Sequence, residues 1–267
     1  MNKIIYSAMI GGYDEIRPVS KKAGWECVMF TDMPKNKLPA GTGWEFRAAC
    51  LGKRMNNVLV NRWYKMHPHV LFPDHEESIY IDANIQINDF EIIEKQISLL
   101  EKNDISIAIT DHLFRNCIYQ EAIAVVEHKK DIEKNVALTM HVLKKNGYPK
   151  NHGLYENNFI YRKHKHPMII ELMRQWWSFI NKYSSRDQLS LCYLMWLNDI
   201  SAEYFYGQGE SVRNNQDITF YPNHSDTSTA TSSHAKLISP KLRLCLFLCK
   251  FIPGKNIRTK LRQSIKN

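Results

Sequence analysis

The sequence predicts an α/β protein, a mixed sheet covered by helices on both faces. Short β-branched or aromatic runs of strand length alternate with helix-length amphipathic stretches, the pattern of strands joined by crossover helices. Three of those runs end within a residue or so of an aspartate: Asp32, Asp82 and Asp111. The chain has 267 residues and is 44% hydrophobic, enough to bury a full core as one large domain or two small ones.

The first run is "KIIYSAMI", Lys3 to Ile10, and the glycine pair Gly11-Gly12 follows it too soon for the apolar core of a signal peptide. "ECVMFT", Glu26 to Thr31, "SIYI", Ser78 to Ile81, and "ISIAIT", Ile105 to Thr110, are the other strands. Asn56 to Met66 and Glu91 to Lys102 have helical spacing and length. Downstream, "PMIIELMRQWWSFINKY", Pro167 to Tyr183, carries apolar residues at a period near 3.6 and opens on a proline suited to a first turn. "SSRDQLSLCYLMWL", Ser184 to Leu197, predicts a second helix with Ser184 or Ser185 as N-cap.

Residues 207–238 are rich in Gly, Asn, Ser and Thr and lack periodicity, which predicts a loop or linker. The organisation expected is therefore a domain over 1–206, a polar linker over 207–238 and a basic tail over 239–267. The net charge of +9 belongs to that tail: from Lys236 onward there are nine Lys or Arg and no acid, leaving 27 basic residues against all 27 acids. A nucleic-acid-binding face on the main domain is not expected. In the tail an apolar run, Leu244 to Cys249, is followed after Pro253-Gly254 by Ile257, Leu261 and Ile265 with cations between them. This is the pattern of a helix lying in a membrane interface, and it predicts peripheral association with an anionic inner leaflet. No stretch reaches the ~20 apolar residues a spanning helix needs. The six cysteines show no CxxC pair, so reduced thiols and a cytoplasmic location are expected.

In "SIYIDANIQI" an aspartate, a small residue and an asparagine follow a buried strand. Alternate side chains of an extended chain share a face, so Asp82 and Asn84 could offer oxygens to Mg²⁺ or Mn²⁺, hard cations that neutralise a diphosphate. An Asx-turn ending the strand would use the same residues. Arg62 and Lys65, three apart on one helix face, are placed as charge partners for a diphosphate. Asp111, His112, Arg115 and Glu121 gather ionisable groups after another strand end and suggest contacts to a donor sugar or an acceptor.

Six separated motifs, "YSAMIGGYDEIRP", "RWYK", "IYIDANI", "ITDHLFRNCIYQEA", "LYENNFIYR" and "SSRDQLS", occur in this order over about residues 3–200. On these motifs the chain resembles the glycosyltransferase-like family of plant wall-polysaccharide and mucilage proteins and bacterial surface-polysaccharide proteins, first catalogued as a domain of unknown function. That family is similar to nucleotide-sugar transferases of the GT-A fold, a Rossmann-like sheet with an Asp-x-Asp at the end of a central strand. The resemblance implies that Asp82-Ala83-Asn84 is the equivalent motif, its second carboxylate replaced by a weaker amide ligand, with His224 as the late histidine that completes the metal site. It implies that Gly11, Gly12 and Tyr13 turn beneath the nucleotide, that Asp32 accepts from base or ribose, and that Glu156 and Asn157 contact acceptor or sugar hydroxyls. Arg186, Asp187 and Gln188 would open a helix whose dipole favours an anion. Asp187 would be the base of an inverting enzyme or would orient the sugar in a retaining one. The function implied is metal-assisted transfer of a hexose from a nucleoside-diphosphate sugar to a hydroxyl of a glycan or lipid-linked acceptor. A sugar nucleotidyltransferase or a non-catalytic glycan- or nucleotide-sugar-binding protein of the same fold is the alternative.

Overall fold

The computed structural model describes residues 3–50 and 55–222. In chain order they form β1 (Lys3–Met9), β2 (Trp25–Thr31), β3 (Glu45–Ala48), α1 (Asn57–Met66), α2 (Pro68–Leu71), β4 (Ser78–Ile81), β5 (Ile85–Ile87) and α3 (Phe90–Lys102). The second half adds β6 (Ile107–Asp111), α4 (Ile118–Glu127), α5 (Glu133–Lys145), β7 (Tyr155–Arg162), α6 (Pro167–Lys182), α7 (Leu191–Leu197), β8 (Glu203–Tyr204) and β9 (Ile218–Phe220). Among the described residues no helix is long and apolar enough to cross a membrane.

Seven strands make one mixed sheet in the order β3-β2-β1-β4-β7-β6-β8. The β1, β2, β3 and β4 pairings are parallel, as is β6 with β8, while β7 runs antiparallel to both β4 and β6. This is a mixed α/β sheet, as expected. The inner strands β1, β4, β7 and β6 are buried on both faces because helices cover each. On one face Ile5, Ile79 and Tyr161 pack with Phe90, Ile93 and Ile97 of α3. On the other, Ile4, Tyr6 and Tyr80 meet Val60 and Tyr64 of α1, and Ile107, Ile109 and Ile160 meet Trp176 and Met173 of α6. Side chains of successive residues thus go to opposite layers, as the pleat requires.

Two expectations are corrected. The helix predicted from Ser184 begins only at Leu191, after a single 3₁₀ turn over Asp187–Leu189. Neither Ser184 nor Ser185 caps it: the Ser184 hydroxyl donates to Asp131 Oδ2 at 2.6 Å and the Ser185 amide donates to the same oxygen at 3.0 Å. The linker expected from residue 207 does not begin there, since residues 207–222 return across the molecule and their strand β9 pairs antiparallel with β5, Ile85 opposite Phe220. The tail over 239–267 and most of the predicted linker lie outside the described residues.

Candidate active site

The carboxyl ends of β1, β2, β4 and β6 and the opening of β7 share one side of the sheet, the side on which ligands bind in such folds. Just past β1 the chain turns through Gly11 and Gly12, both at positive φ (74° and 62°). The Gly11 amide donates to both carboxylate oxygens of Asp32, at 2.9 and 3.1 Å. Asp32 therefore fixes this turn from the end of the neighbouring strand. Tyr13 follows it, two-thirds exposed.

A charged centre is assembled from three elements. Asn56 caps α1 by accepting from the Leu59 amide at 2.9 Å, and Asn61 ties the helix to the end of β1 by donating to the Ala8 carbonyl at 2.6 Å. The same helix then delivers Arg62 and Lys65. The Lys65 ammonium, 1% exposed, lies 2.6 Å from Asp187 Oδ2 and 3.7 Å from Asp82 Oδ1, above the Tyr80 ring. Arg62 Nη2 lies 3.3 Å from Asp187 Oδ1. Burial alone would raise the Asp187 carboxyl, but Arg62, Lys65 and Arg186 overcome it and hold it well below the usual carboxylate range. Lys65 is pulled down by burial, which Asp187 and Asp82 offset only in part. The anion at Asp187 is thus stabilised by side-chain cations rather than by a helix dipole, because a three-residue 3₁₀ turn has no macrodipole of consequence. Gln188 contributes its backbone amide, which donates to Asp187 Oδ1 at 3.1 Å.

The centre also holds polar atoms with nothing to bond. Arg62 Nε and Arg186 Nε are buried without a hydrogen-bond partner; on β7, apart from that centre's ion pairs, both amide atoms of Asn157, 3% exposed, are also unpaired. Buried polar groups are almost always paired, so such a cluster needs an explanation. Asn157 precedes Asn158, whose carbonyl accepts from the Asp82 amide at 2.9 Å.

A second cluster adjoins the ends of β6 and β7. Asp111 Oδ1 accepts from the His112 amide and its Oδ2 from the Gly209 amide, at 2.8 and 2.9 Å. His112 Nδ1 accepts from the Phe114 and Arg115 amides, which leaves its Nε2 facing Glu121 at 3.7 Å. Burial lowers the His112 pKa, against the pull of Glu121 and Glu156. Arg115 Nε donates to Glu121 at 2.6 Å. Glu156, 2% exposed, accepts from Arg213 Nε at 2.8 Å and from the Ser211 hydroxyl at 3.1 Å. Arg213 and Ser211 were not expected, because they sit in the Gly- and Asn-rich stretch that reads as a linker. The sign of structure there was the short apolar alternation at Ile218 and Phe220.

Asp82 and Asn84 do not present their side chains along an extended strand. The Ile85 amide donates to the Asp82 carbonyl at 3.1 Å, closing a turn. Asp82 faces Lys65, whereas Asn84 is 6% exposed and its amide donates to the Tyr221 carbonyl at 2.9 Å. Asp82, with a third of its side chain exposed, fits a hard cation as one oxygen anchor, and the bond to Tyr221 engages only the nitrogen of the Asn84 amide. Among the described residues no group of three or more His, Cys, Asp and Glu could hold a metal, and His224 lies outside them.

Comparison with curated proteins finds no match in sequence. Solved structures that resemble the chain include the glycosyltransferase GlyE of Streptococcus pneumoniae TIGR4 (11% identity, TM-score 0.44, over 76% of this chain and 45% of that one). The bifunctional glycosyltransferase WbbM without ligand (10%, TM-score 0.42, 76% and 38%) and mouse xyloside xylosyltransferase 1 without ligand (9%, TM-score 0.39, 73% and 79%) also match. The chain spans less than half the length of the first two. The model of the family described as "TOD1/MUCI70, glycosyltransferase-like domain" matches residues 54–207, which include α1, Asp82, Asp111, His112, Arg115, Glu121, Glu156 and Asp187. Since that match covers more than half of the chain, the protein belongs to the TOD1/MUCI70 glycosyltransferase-like family.

Proposed function

We propose that the protein transfers a hexose from a nucleoside-diphosphate sugar to a hydroxyl of a glycan or lipid-linked acceptor in the synthesis of a bacterial surface polysaccharide. The observation that carries the reading is the charged centre. Three cations, Arg62, Lys65 and Arg186, are gathered on two carboxylates, Asp82 and Asp187, and both arginines keep a buried donor unpaired. A diphosphate would supply the missing negative charge and the missing acceptors. Arginine forks and a buried ammonium suit its oxygens.

In the reaction the acceptor hydroxyl oxygen bonds to the anomeric carbon, the bond from that carbon to the diphosphate oxygen breaks, the bonding pair leaves as negative charge on the nucleoside diphosphate, and the hydroxyl proton passes to water or to that leaving group. Arg62 and Lys65 are already desolvated and fixed, so they would stabilise that charge without reorganising. A divalent cation on Asp82 would add further neutralisation of the diphosphate. Asp187, held ionised by two direct cation contacts, is a weak proton acceptor; it acts as the anion that positions Arg62 and Lys65. Asn157 would pair its two unsatisfied amide atoms with sugar hydroxyls, and His112, Arg115, Glu121 and Glu156 would line the sugar or acceptor side. Gly11, Gly12, Tyr13 and Asp32 would lie under the nucleotide. The tail over 239–267 would keep the enzyme at the cytoplasmic membrane face; loss of co-sedimentation with anionic vesicles on deleting 240–267 tests that point.

The test of the function is thermal stabilisation by UDP, GDP, ADP and CDP, each with and without Mn²⁺, followed by hydrolysis assays with the matching nucleotide sugars. One nucleotide is expected to raise Tm, corresponding to about 2.7 kcal/mol at a hundred times its Kd. Lys65→Met should abolish that rise and Asp82→Ala should remove its Mn²⁺-dependent part. No shift with any nucleotide would overturn the reading in favour of a scaffold.

A further inference from the structure

We infer that Arg162 is a positioning residue for the diphosphate site: it is kept in the core to hold the end of α1 and the Lys65 it carries, at a cost to stability. The inference rests on the diphosphate reading of the Arg62–Lys65 centre.

Arg162 closes β7 and is fully buried. Its Nη2 donates to the Lys65 carbonyl at 2.6 Å and to the Tyr6 hydroxyl, and its Nη1 contacts Met173 Sδ at 3.1 Å. Its Nε has no partner, and among the described residues no carboxylate pairs with it. Burial accordingly lowers its pKa, opposed by Tyr6 and Tyr80. A buried guanidinium with no carboxylate partner is costly even when some of its N–H groups are bonded.

The one backbone group it serves is informative. Lys65 lies in the last turn of α1, so its carbonyl has no partner within the helix. Tyr6 already donates to that carbonyl at 3.1 Å, so hydrogen bonding alone does not call for a cation. What Arg162 adds is a second, rigid bond on the residue whose side chain must reach Asp82 and Asp187 together. It also adds positive charge against the negative end of the helix that carries Arg62 and Lys65, cancelling a partial charge that opposes an anionic ligand. Neither service strengthens the core as an apolar side chain beside Met173 would.

The test compares the full chain with R162M and R162K, measuring Tm and the affinity for UDP, GDP and inorganic pyrophosphate by calorimetry. R162M is expected to keep or raise Tm while binding of the probe falls at least tenfold; R162K should recover part of the binding at no higher Tm. A role confined to packing would move Tm and binding together. The inference is overturned if R162M binds as wild type does, or if it unfolds and binding is lost with the fold. Absence of binding by the wild type to these three and to ADP and CDP would overturn the diphosphate reading and this inference with it.

Discussion

Asp187 and Lys65 are 122 residues apart in sequence and form the most buried ion pair of the centre. Replacing Asp187 by Asn leaves Lys65 buried with only Asp82, 3.7 Å away, so we expect a loss of about 3–5 kcal/mol in urea unfolding. Lys65→Met with Asp187→Leu should regain most of that loss, because the apolar pair removes both desolvated charges, yet remain unable to bind nucleotide. Since the Asp187 carboxyl is held low in the fold, its contribution is complete above the ordinary carboxylate range and disappears only under strong acid. His164 behaves in the opposite sense to a paired histidine. Burial lowers its pKa from 6.5 to about 4, with the Phe72 carbonyl at 3.2 Å offsetting only a part. Between those values the unfolded chain binds a proton that the folded chain refuses, so stability falls as pH drops from 6.5 to 4 and levels off below. Unfolding measured at pH 7 and pH 4 should differ by about 2–3 kcal/mol more in wild type than in His164→Gln.

At the scale of elements, the strands that end in aspartate were legible because a parallel strand is a dense β-branched run with a polar stop, as at "SIYI" and Asp82. β7 was not legible as a strand: "YENNFIYR" places Glu156 and Asn157 where a central strand should be apolar, since its opening serves the site rather than the core. The helix expected from Ser184 failed for a related reason, as Asp131 claims both serines from another part of the chain. The glycine turns separate backbone demand from packing demand. Gly12 has φ +62° and open space where a Cβ would go, so Gly12→Ala should cost only about 1 kcal/mol. At Gly11 a Cβ would come within 2.0 Å of Asn57 Nδ2, a side chain that can rotate away, and the cost should be about 2 kcal/mol. At Gly43 it would meet the Val19 carbonyl oxygen at 1.9 Å, where the backbone itself must move, so a loss above about 3 kcal/mol is expected. Thermal denaturation of the three alanine variants should rank them in that order.

For the molecule as a whole, residues 207–222 join parts that the sheet alone leaves separate. The Gly209 amide bonds Asp111 after β6, Ser211 and Arg213 bond Glu156 on β7, and the Tyr221 amide donates to the Asn84 carbonyl after β4, at 3.0 Å. Two arginines lie on its aromatic rings, Arg213 over Phe220 at 4.0 Å and Arg17 over Tyr221 at 3.9 Å. Composition concealed this, because a segment held by hydrogen bonds to carboxylates and by cation–π contacts needs few apolar residues of its own. The family match ends at residue 207, so these contacts come from beyond the matched residues. Comparing a chain that ends at 222 with one that ends at 206 therefore tests whether the segment belongs to the fold. The shorter chain deprives Glu156 of Arg213 and Ser211, its charge-assisted partners at 2.8 and 3.1 Å. It also strips β5 of its only strand partner among the described residues. We expect the chain ending at 222 to unfold cooperatively and the chain ending at 206 to lose at least several degrees in Tm. Arg213→Ala in the full chain should reproduce part of that loss, with the Glu156→Gln, Arg213→Ala pair milder than Arg213→Ala alone because it removes the buried charge. If the chain ending at 206 melts where the one ending at 222 does, the segment is an appendage and Glu156 must find its compensation elsewhere.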